Sequence, residues 1–76
     1  AMLNNRFLVR QTEHLAKRLQ VESEDLPSQV HRLFELIYSR RATESEAIDV
    51  IAYIKAHGLA NACRVLINSN EFLFVR

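Results

Sequence analysis

The hydrophobic residues of this chain recur every three to four positions, which is the spacing of one buried face of an α-helix. Leu8, Leu15 and Leu19 share such a face, and this predicts a first amphipathic helix. The stretch 21–27 that follows is rich in carboxylates, which are favoured just before the N-terminus of a helix. We therefore predict a short acidic loop between the first helix and the second.

Start and stop signals mark a second and a third helix. Pro27 suits the first turn of a helix, and apolar residues then repeat at helical spacing. Thr43 and Glu46 match a capping box, in which the hydroxyl and the carboxylate each accept a free backbone N–H. Gly58 ends the third helix, because glycine takes a positive φ at little cost. Apolar positions of the third helix cover more than half of its circumference, so we expect it to lie centrally and contact two neighbours.

The fourth helix has a single polar stripe formed by Asn61, Arg64 and Asn68. Beyond it, residues 72–75 are continuously apolar and must fold back onto the helices or pack into another surface. The predicted helices are Arg6–Gln20, Pro27–Arg40, Glu44–His57 and Leu59–Ser69.

These elements predict an all-α fold, a small four-helix antiparallel bundle with a short apolar C-terminal extension. With 76 residues, of which one is Gly and one is Pro, the chain has room for a single helical domain over residues 1–76 and few tight turns for a β fold. The predicted core consists of Leu8, Leu15, Leu19, Leu33, Phe34, Ile37, Ile51, Ile54, Cys63 and Leu66.

Composition and charge narrow the possible functions. The net charge of +1 gives no strong attraction to nucleic acid or anionic lipid. The longest apolar runs are only a few residues, so we expect no membrane insertion. Because Arg40 and Arg41 lie at a turn before the third helix, a DNA-binding helix-turn-helix is an alternative. That third helix is largely apolar and carries Asp49, so we expect no nucleic-acid partner.

The candidate chemistry is sparse. His14, His31 and His57 lie on three different predicted helices, so we interpret them as solvated surface residues and expect no metal, haem or other cofactor. Cys63 lies on the apolar side of the fourth helix, where a thiol behaves as a small hydrophobe. No arrangement of nucleophile and base stands at a suggestive spacing, so no catalytic residue is predicted.

Three segments of the chain resemble a known family. The opening segment is Leu3-Asn4-Asn5-Arg6-Phe7-Leu8 with Gln11 and the later Leu15-Ala16-Lys17-Arg18-Leu19. The middle segment is the turn Leu36-Ile37-Tyr38-Ser39-Arg40-Arg41-Ala42-Thr43 with Glu46. The closing segment is Cys63-Arg64-Val65-Leu66-Ile67-Asn68-Ser69-Asn70-Glu71-Phe72-Leu73-Phe74-Val75, in which Asn68-Ser69-Asn70-Glu71-Phe72 is the most specific part. Together they are similar to the C-terminal part of a planctomycete family of exported proteins of unknown function. Its members are frequently joined to a cytochrome c-like domain and to a second domain of unknown function. The chain departs from the family where Ser39 replaces Gly, Ala42 replaces Pro, Leu59 replaces Trp and Arg76 replaces Asp.

The resemblance implies a fragment of a larger exported protein, located in the periplasm or at the cell surface. We interpret the chain as a non-catalytic helical module that packs against the rest of its parent chain or another protein. The alternatives are one wall of a hydrolase-like site acting on envelope polysaccharide, and a structural connector similar to phycobilisome linkers. Weak self-association through uncovered apolar surface is also expected. The candidate structural or interface residues are Arg40, Thr43, Glu46, Asn68, Asn70, Glu71 and Phe72.

One pair of these candidates is predicted to interact directly. Short connections in an antiparallel bundle would place Arg40 and Glu71 at the same end of the molecule. A guanidinium can hold a carboxylate through two hydrogen bonds and still donate to free carbonyls at a helix end. We therefore predict that Arg40 pairs with Glu71 and holds Phe72 against the core.

Overall fold

The computed structural model describes residues 6–68, and all regular structure in this range is helical. The predicted all-α fold is confirmed as a small four-helix bundle. The predicted extension 72–75 lies outside the described residues. The helices are α1 (Arg6–Glu22), α2 (Leu26–Tyr38), α3 (Glu44–His57) and α4 (Leu59–Ile67).

The four helices form a ring, with one diagonal contact across it. Helix α1 packs against α2 and α4, and α3 packs against the same two helices. Helices α2 and α4 also contact each other, whereas α1 and α3 occupy opposite corners. The third helix thus has the two neighbours that its apolar surface predicts, but the central position belongs to α2 and α4.

The core lies where these helices meet, and it agrees largely with the predicted one. Phe34 and Cys63 are completely inaccessible to solvent. The predicted residues that are buried are Leu19, Leu33, Phe34, Ile54, Cys63 and Leu66. Leu15, Ile37 and Ile51 are partly buried and pack against this cluster, and the side chain of Leu8 lies outside the described part of the chain. The remaining core positions are Ala16, Val30, Ala42, Ala47, Val50, Leu59 and Ala62.

Two residues at the edge of the core do not follow from the apolar pattern alone. Ile48 is 61% exposed, because only a narrow stripe of α3 packs against its neighbours. Gln29 is buried, although it is polar, and its side-chain amide donates to the carbonyl oxygen of Ser23 at 2.8 Å. That bond connects the start of α2 to the end of α1, and it satisfies a polar group that would be costly to bury alone.

Backbone conformations and caps define the helix ends. Asp25 caps α2 by accepting the N–H of Ser28 at 2.9 Å, and hydrogen bonds from Ser28 lower the pKa of Asp25. Ser39 ends α2 in the left-handed conformation, with φ 61° and ψ 30°. Gly58 separates α3 from α4 with φ 94° and ψ 155°, so its positive φ agrees with the predicted glycine stop.

Candidate functional site at the arginine turn

The segment between α2 and α3, residues 39–43, is the arginine turn. It begins where the N–H of Ser39 donates to the carbonyl oxygen of Glu35 at 3.1 Å and completes the last turn of α2. The left-handed conformation of Ser39 then turns the chain away from the helix axis. Since Ala42 in this turn is buried against the core, the turn is packed onto the bundle.

The predicted capping box at the end of the turn is confirmed. The N–H of Glu46 donates to Oγ1 of Thr43 at 3.2 Å, and the N–H of Thr43 donates to Oε1 of Glu46 at 2.9 Å. These two bonds satisfy backbone donors that the first turn of α3 leaves without a helical partner. They also fix the orientation of the Glu46 carboxylate.

Arg40 binds this same carboxylate. Its Nη1 donates to Oε1 of Glu46 at 2.8 Å, and its Nη2 donates to Oε2 at 2.9 Å. Nη1 also donates to the carbonyl oxygen of Arg41 at 3.0 Å. The predicted partner, Glu71, lies outside the described residues, so the Arg40–Glu71 pairing stays a prediction. Within residues 6–68, Glu46 is the carboxylate that the guanidinium holds with both of its terminal nitrogens.

Aromatic rings complete the surroundings of Arg40. Its guanidinium carbon lies 5.6 Å from the ring centres of both Phe34 and Tyr38, within the range of cation–π attraction. The two rings are themselves 5.2 Å apart. Tyr38 donates its hydroxyl to the carbonyl oxygen of Leu66 at 3.3 Å, across 28 positions of sequence. Tyr38, which directly precedes the arginine turn and lies beside the Arg40 guanidinium, is therefore linked to a backbone carbonyl in the last turn of α4.

Arg40 and Glu46 stabilise each other's charged forms. Hydrogen bonding from Arg40, assisted by the N–H of Thr43, lowers the pKa of Glu46 from its ordinary 4.5 to about 2. The same contact raises the pKa of Arg40. A carboxylate that is ionised throughout the neutral range and already holds three donors is poorly suited to transfer protons. The geometry fits a clamp between α2 and α3.

Asn68 is the other predicted candidate within the described range. Its side-chain amide donates to the carbonyl oxygen of Arg64 at 2.9 Å and covers the end of α4. Arg64 in turn donates to the side-chain oxygen of Asn61, and Asn61 donates to the carbonyl oxygen of His57 at 2.7 Å. The predicted polar stripe is thus a chain of hydrogen bonds. The candidates Asn70, Glu71 and Phe72 lie outside the described residues.

The other candidate reactive residues within 6–68 are Cys63 and the three histidines. Burial raises the pKa of the Cys63 thiol to about 12, so the reactive thiolate is disfavoured. His14 and His57 are exposed as predicted, whereas His31 is partly buried and its Nδ1 has no hydrogen-bond partner. Among residues 6–68, no group of three histidine, cysteine or acidic side chains is arranged to hold a metal ion. Nor is any helix of this range long and apolar enough to span a bilayer.

Sequence reasoning missed two contributions to the site. It assigned Glu46 to the capping box alone, although a capping carboxylate keeps an outward oxygen that can accept from a nearby arginine. It also gave no role to Tyr38, whose hydroxyl reaches a distant helix end. The position of Arg40 just before the Thr43 cap is a local signal for the first contact, but the second depends on the tertiary fold.

Comparisons with protein-family models, with curated proteins and with solved structures find no match to this chain. Its function is therefore inferred from the residues and from the geometry described above.

Proposed function

We propose that this chain is a non-catalytic helical module that packs against another protein surface. The observation that carries the proposal is the outward face of α1. Phe7 is 71% exposed and Val21 is 87% exposed, and both are large apolar residues. With exposed His14 midway between them, they stand at i, i+7 and i+14, so they lie on nearly one line along the helix.

This line lies on the side of α1 opposite to its buried residues, and His14 at its middle also lines a groove with Ile67 of α4. The buried residues of α1 are Thr12, Ala16 and Leu19, which lie roughly 120–180° around the helix from Phe7 at ~100° per residue. Phe7 and Val21 therefore stand two heptads apart on one face of the helix, and exposed apolar residues that share a face favour packing against another protein surface. The charged residues beside this line would supply the polar rim of such an interface.

Two further observations support a packing role over a catalytic one. The strongest pKa shifts within the described residues belong to Glu46 and Cys63. The shift at Glu46 follows from its cap and ion pair, and that at Cys63 follows from burial in the core. Each shift is thus accounted for by a contact or by burial within the fold.

A site-specific photocrosslinking experiment tests the proposal. Benzoylphenylalanine is placed at Phe7 or Val21 of the chain expressed in its own host, with Glu13 on the same helix as the matched control. We expect the probe at Phe7 and the probe at Val21 each to crosslink to a peptide of the same partner protein. The probe at Glu13 should give no crosslinked product. The purified partner should then lose at least about tenfold in affinity for Phe7→Ser or Val21→Ser, as expected for interface anchors. Equal crosslinking at all three positions, or unchanged affinity, would contradict the proposal.

We further propose that this partner surface belongs to a longer exported polypeptide, as the family resemblance implies. The Arg40 turn and the Asn68-to-Phe72 ending support this, because they are two of the three segments that carry the resemblance. The complete open reading frame tests it directly. An export signal upstream in the same frame would support the proposal, and a frame that encodes these residues alone would overturn it.

A further inference from the structure

The outward face of α3 carries a stripe of two isoleucines between two opposite charges. Ile48 is 61% exposed, and Ile51 is partly exposed. Exposed Glu44 precedes them and exposed Lys55 follows them. The four residues succeed one another at spacings of four, three and four positions, which is the spacing of a seam between two packed helices. They lie within roughly 60° of one another around the helix at ~100° per residue, and we call them the α3 stripe.

The bundle leaves the α3 stripe without a partner for its charges. The buried residues of α3 are Ala47, Val50 and Ile54. They lie roughly 100–160° around the helix from Ile48 at ~100° per residue, so the packed side of α3 is a different one. Within residues 6–68, neither Glu44 nor Lys55 takes part in an ion pair. The stripe therefore presents apolar surface and two uncompensated charges to the outside of the bundle.

We propose that the α3 stripe binds the α3 stripe of a second copy of this chain, with the two helices antiparallel about a two-fold axis. In this arrangement Ile48 of each copy lies opposite Ile51 of the other. Glu44 precedes Ile48 by four residues, and Lys55 follows Ile51 by four. Glu44 of each copy therefore comes opposite Lys55 of the other copy. One register brings both isoleucines and both charges onto complementary partners, as a two-fold symmetric interface requires.

The order of the stripe favours this partner and this direction. A parallel pair of the same helices would place Glu44 against Glu44 and Lys55 against Lys55, which is repulsive. Ala52 adjoins Ile48 and is exposed, so a small side chain borders the contact and allows the helices to approach closely. The two charges also suit the dipole of their own helix. That effect does not account for the isoleucines between them or for the shared register.

The dimer should be weak and separate from the contact proposed for α1. The stripe is about 17 Å long at ~1.5 Å per residue, and one helix face per copy buries less than the roughly 1,600 Å² of a standard stable interface. We therefore expect an equilibrium between monomer and dimer that shifts with concentration. Helix α1 does not contact α3 and lies at the opposite corner of the ring, so this inference is independent of the proposed function.

Charge reversal and mixing test the proposal. Sedimentation equilibrium of the full chain from about 10 µM to about 1 mM measures self-association. Glu44→Lys alone or Lys55→Glu alone would place like charges opposite each other, and each should weaken the dimer at least about tenfold. An equal mixture of these two variants should associate as the unaltered chain does, because every charge then meets its opposite in the heterodimer. Lys17→Glu, an exposed reversal on α1, is the matched control and should leave self-association unchanged.

The outcomes separate this proposal from its alternatives. Restored association in the mixture supports the antiparallel register. A chain that stays monomeric up to about 1 mM, or reversed variants that fail to associate when mixed, would overturn it. If circular dichroism shows that a reversed variant is unfolded, Ile48→Ser at its exposed position decides instead, and unchanged association of that variant would overturn the proposal. Loss of self-association in Phe7→Ser would assign the contact to α1 and also overturn it. The crosslinking test of the proposed function uses another helix and another readout, so either proposal can fail without the other.

Discussion

Arg40 and Glu46 form a two-bond ion pair, with nitrogen-to-oxygen distances of 2.8 and 2.9 Å, on a carboxylate that simultaneously caps α3. One side chain thereby joins the end of α2 to the beginning of α3. The side chain of Arg40 is 47% exposed and that of Glu46 is 21% exposed, so water screens the pair only in part. The two parallel bonds add geometric specificity to the attraction between the charges.

We predict that Arg40→Lys lowers the free energy of unfolding by about 0.5–1.5 kcal/mol, because lysine cannot reproduce the parallel bonds or lie flat over the rings. Arg41→Lys, at the exposed neighbouring position, is the matched control and should change stability by less than about 0.5 kcal/mol. Urea unfolding measures both variants. Equal midpoints for the two lysine variants would show that the paired geometry does not contribute.

The pKa of Glu46 predicts a pH dependence. Because its pKa falls from an ordinary 4.5 to about 2 on folding, the stabilisation is present above pH 4.5 and is lost as the pH falls toward 2. We expect the unaltered chain to lose stability over this window more steeply than Glu46→Gln. Glu44→Gln, an exposed acidic residue in the same first turn of α3, should retain the steep loss. Parallel pH profiles for Glu46→Gln and the unaltered chain would contradict this assignment.

Features that depend on neighbours in sequence could be predicted, and those that depend on tertiary contacts could not. The capping box follows from Thr43 and Glu46 alone, because the geometry of a helix start brings residues three apart together. The attachment of Tyr38 to Leu66 needs the packing of α2 against α4, which no local spacing encodes. The Arg40–Glu46 ion pair lies between these two cases. Its residues are close in sequence, but the sequence alone allows Arg40 other carboxylate partners, and the conformation of the turn decides among them.

In the core, too, some positions follow from local sequence and others depend on tertiary contacts. Helical periodicity identifies Leu33 and Phe34 correctly, because the two residues lie at the centre of a narrow apolar stripe. Periodicity does not show which part of the wide apolar arc of α3 is packed, and Ile48 within that arc is 61% exposed. Gln29 is buried because the carbonyl oxygen of Ser23 accepts a hydrogen bond from its side-chain amide. A polarity scale ranks residue types and does not include such a partner.

Ser39 offers a stabilising substitution. Its φ of 61° lies in the left-handed region, where a side chain with a Cβ is strained and glycine is not. We predict that Ser39→Gly raises the free energy of unfolding by about 0.5–1 kcal/mol, after the greater flexibility of glycine in the unfolded chain is included. Ser45→Gly within α3 is the control and should destabilise by about 0.5–1 kcal/mol. Thermal unfolding of both variants checks the opposite signs, and destabilisation by both would contradict the strain.

Cys63 should be chemically inert in the folded chain. It is completely buried, and burial raises the pKa of its thiol to about 12, so both access and thiolate are lacking. We expect no reaction with an aromatic disulfide reagent under native conditions and one equivalent of reaction in urea. At intermediate urea the rate should follow the unfolded population. Rapid labelling of the folded chain would show that the core around α4 opens locally.

Gly58 lies between two helices and is the cap residue of both. Its N–H donates to the carbonyl oxygen of Ile54 at 2.7 Å and ends α3, while its own carbonyl accepts the N–H of Ala62 at 3.2 Å and starts α4. A Cβ at this position would meet nothing within 4 Å, so steric conflict with neighbours does not contribute.

The φ of 94° with ψ of 155° is a conformation that L-residues adopt only under strain, and we predict that Gly58→Ala costs about 1–3 kcal/mol. Chemical synthesis with D-alanine provides the matched control, since the inverted Cβ suits a positive φ and should preserve or increase stability. If urea unfolding gives the same midpoint for the L- and D-alanine chains, the backbone conformation of Gly58 is not what joins α3 to α4.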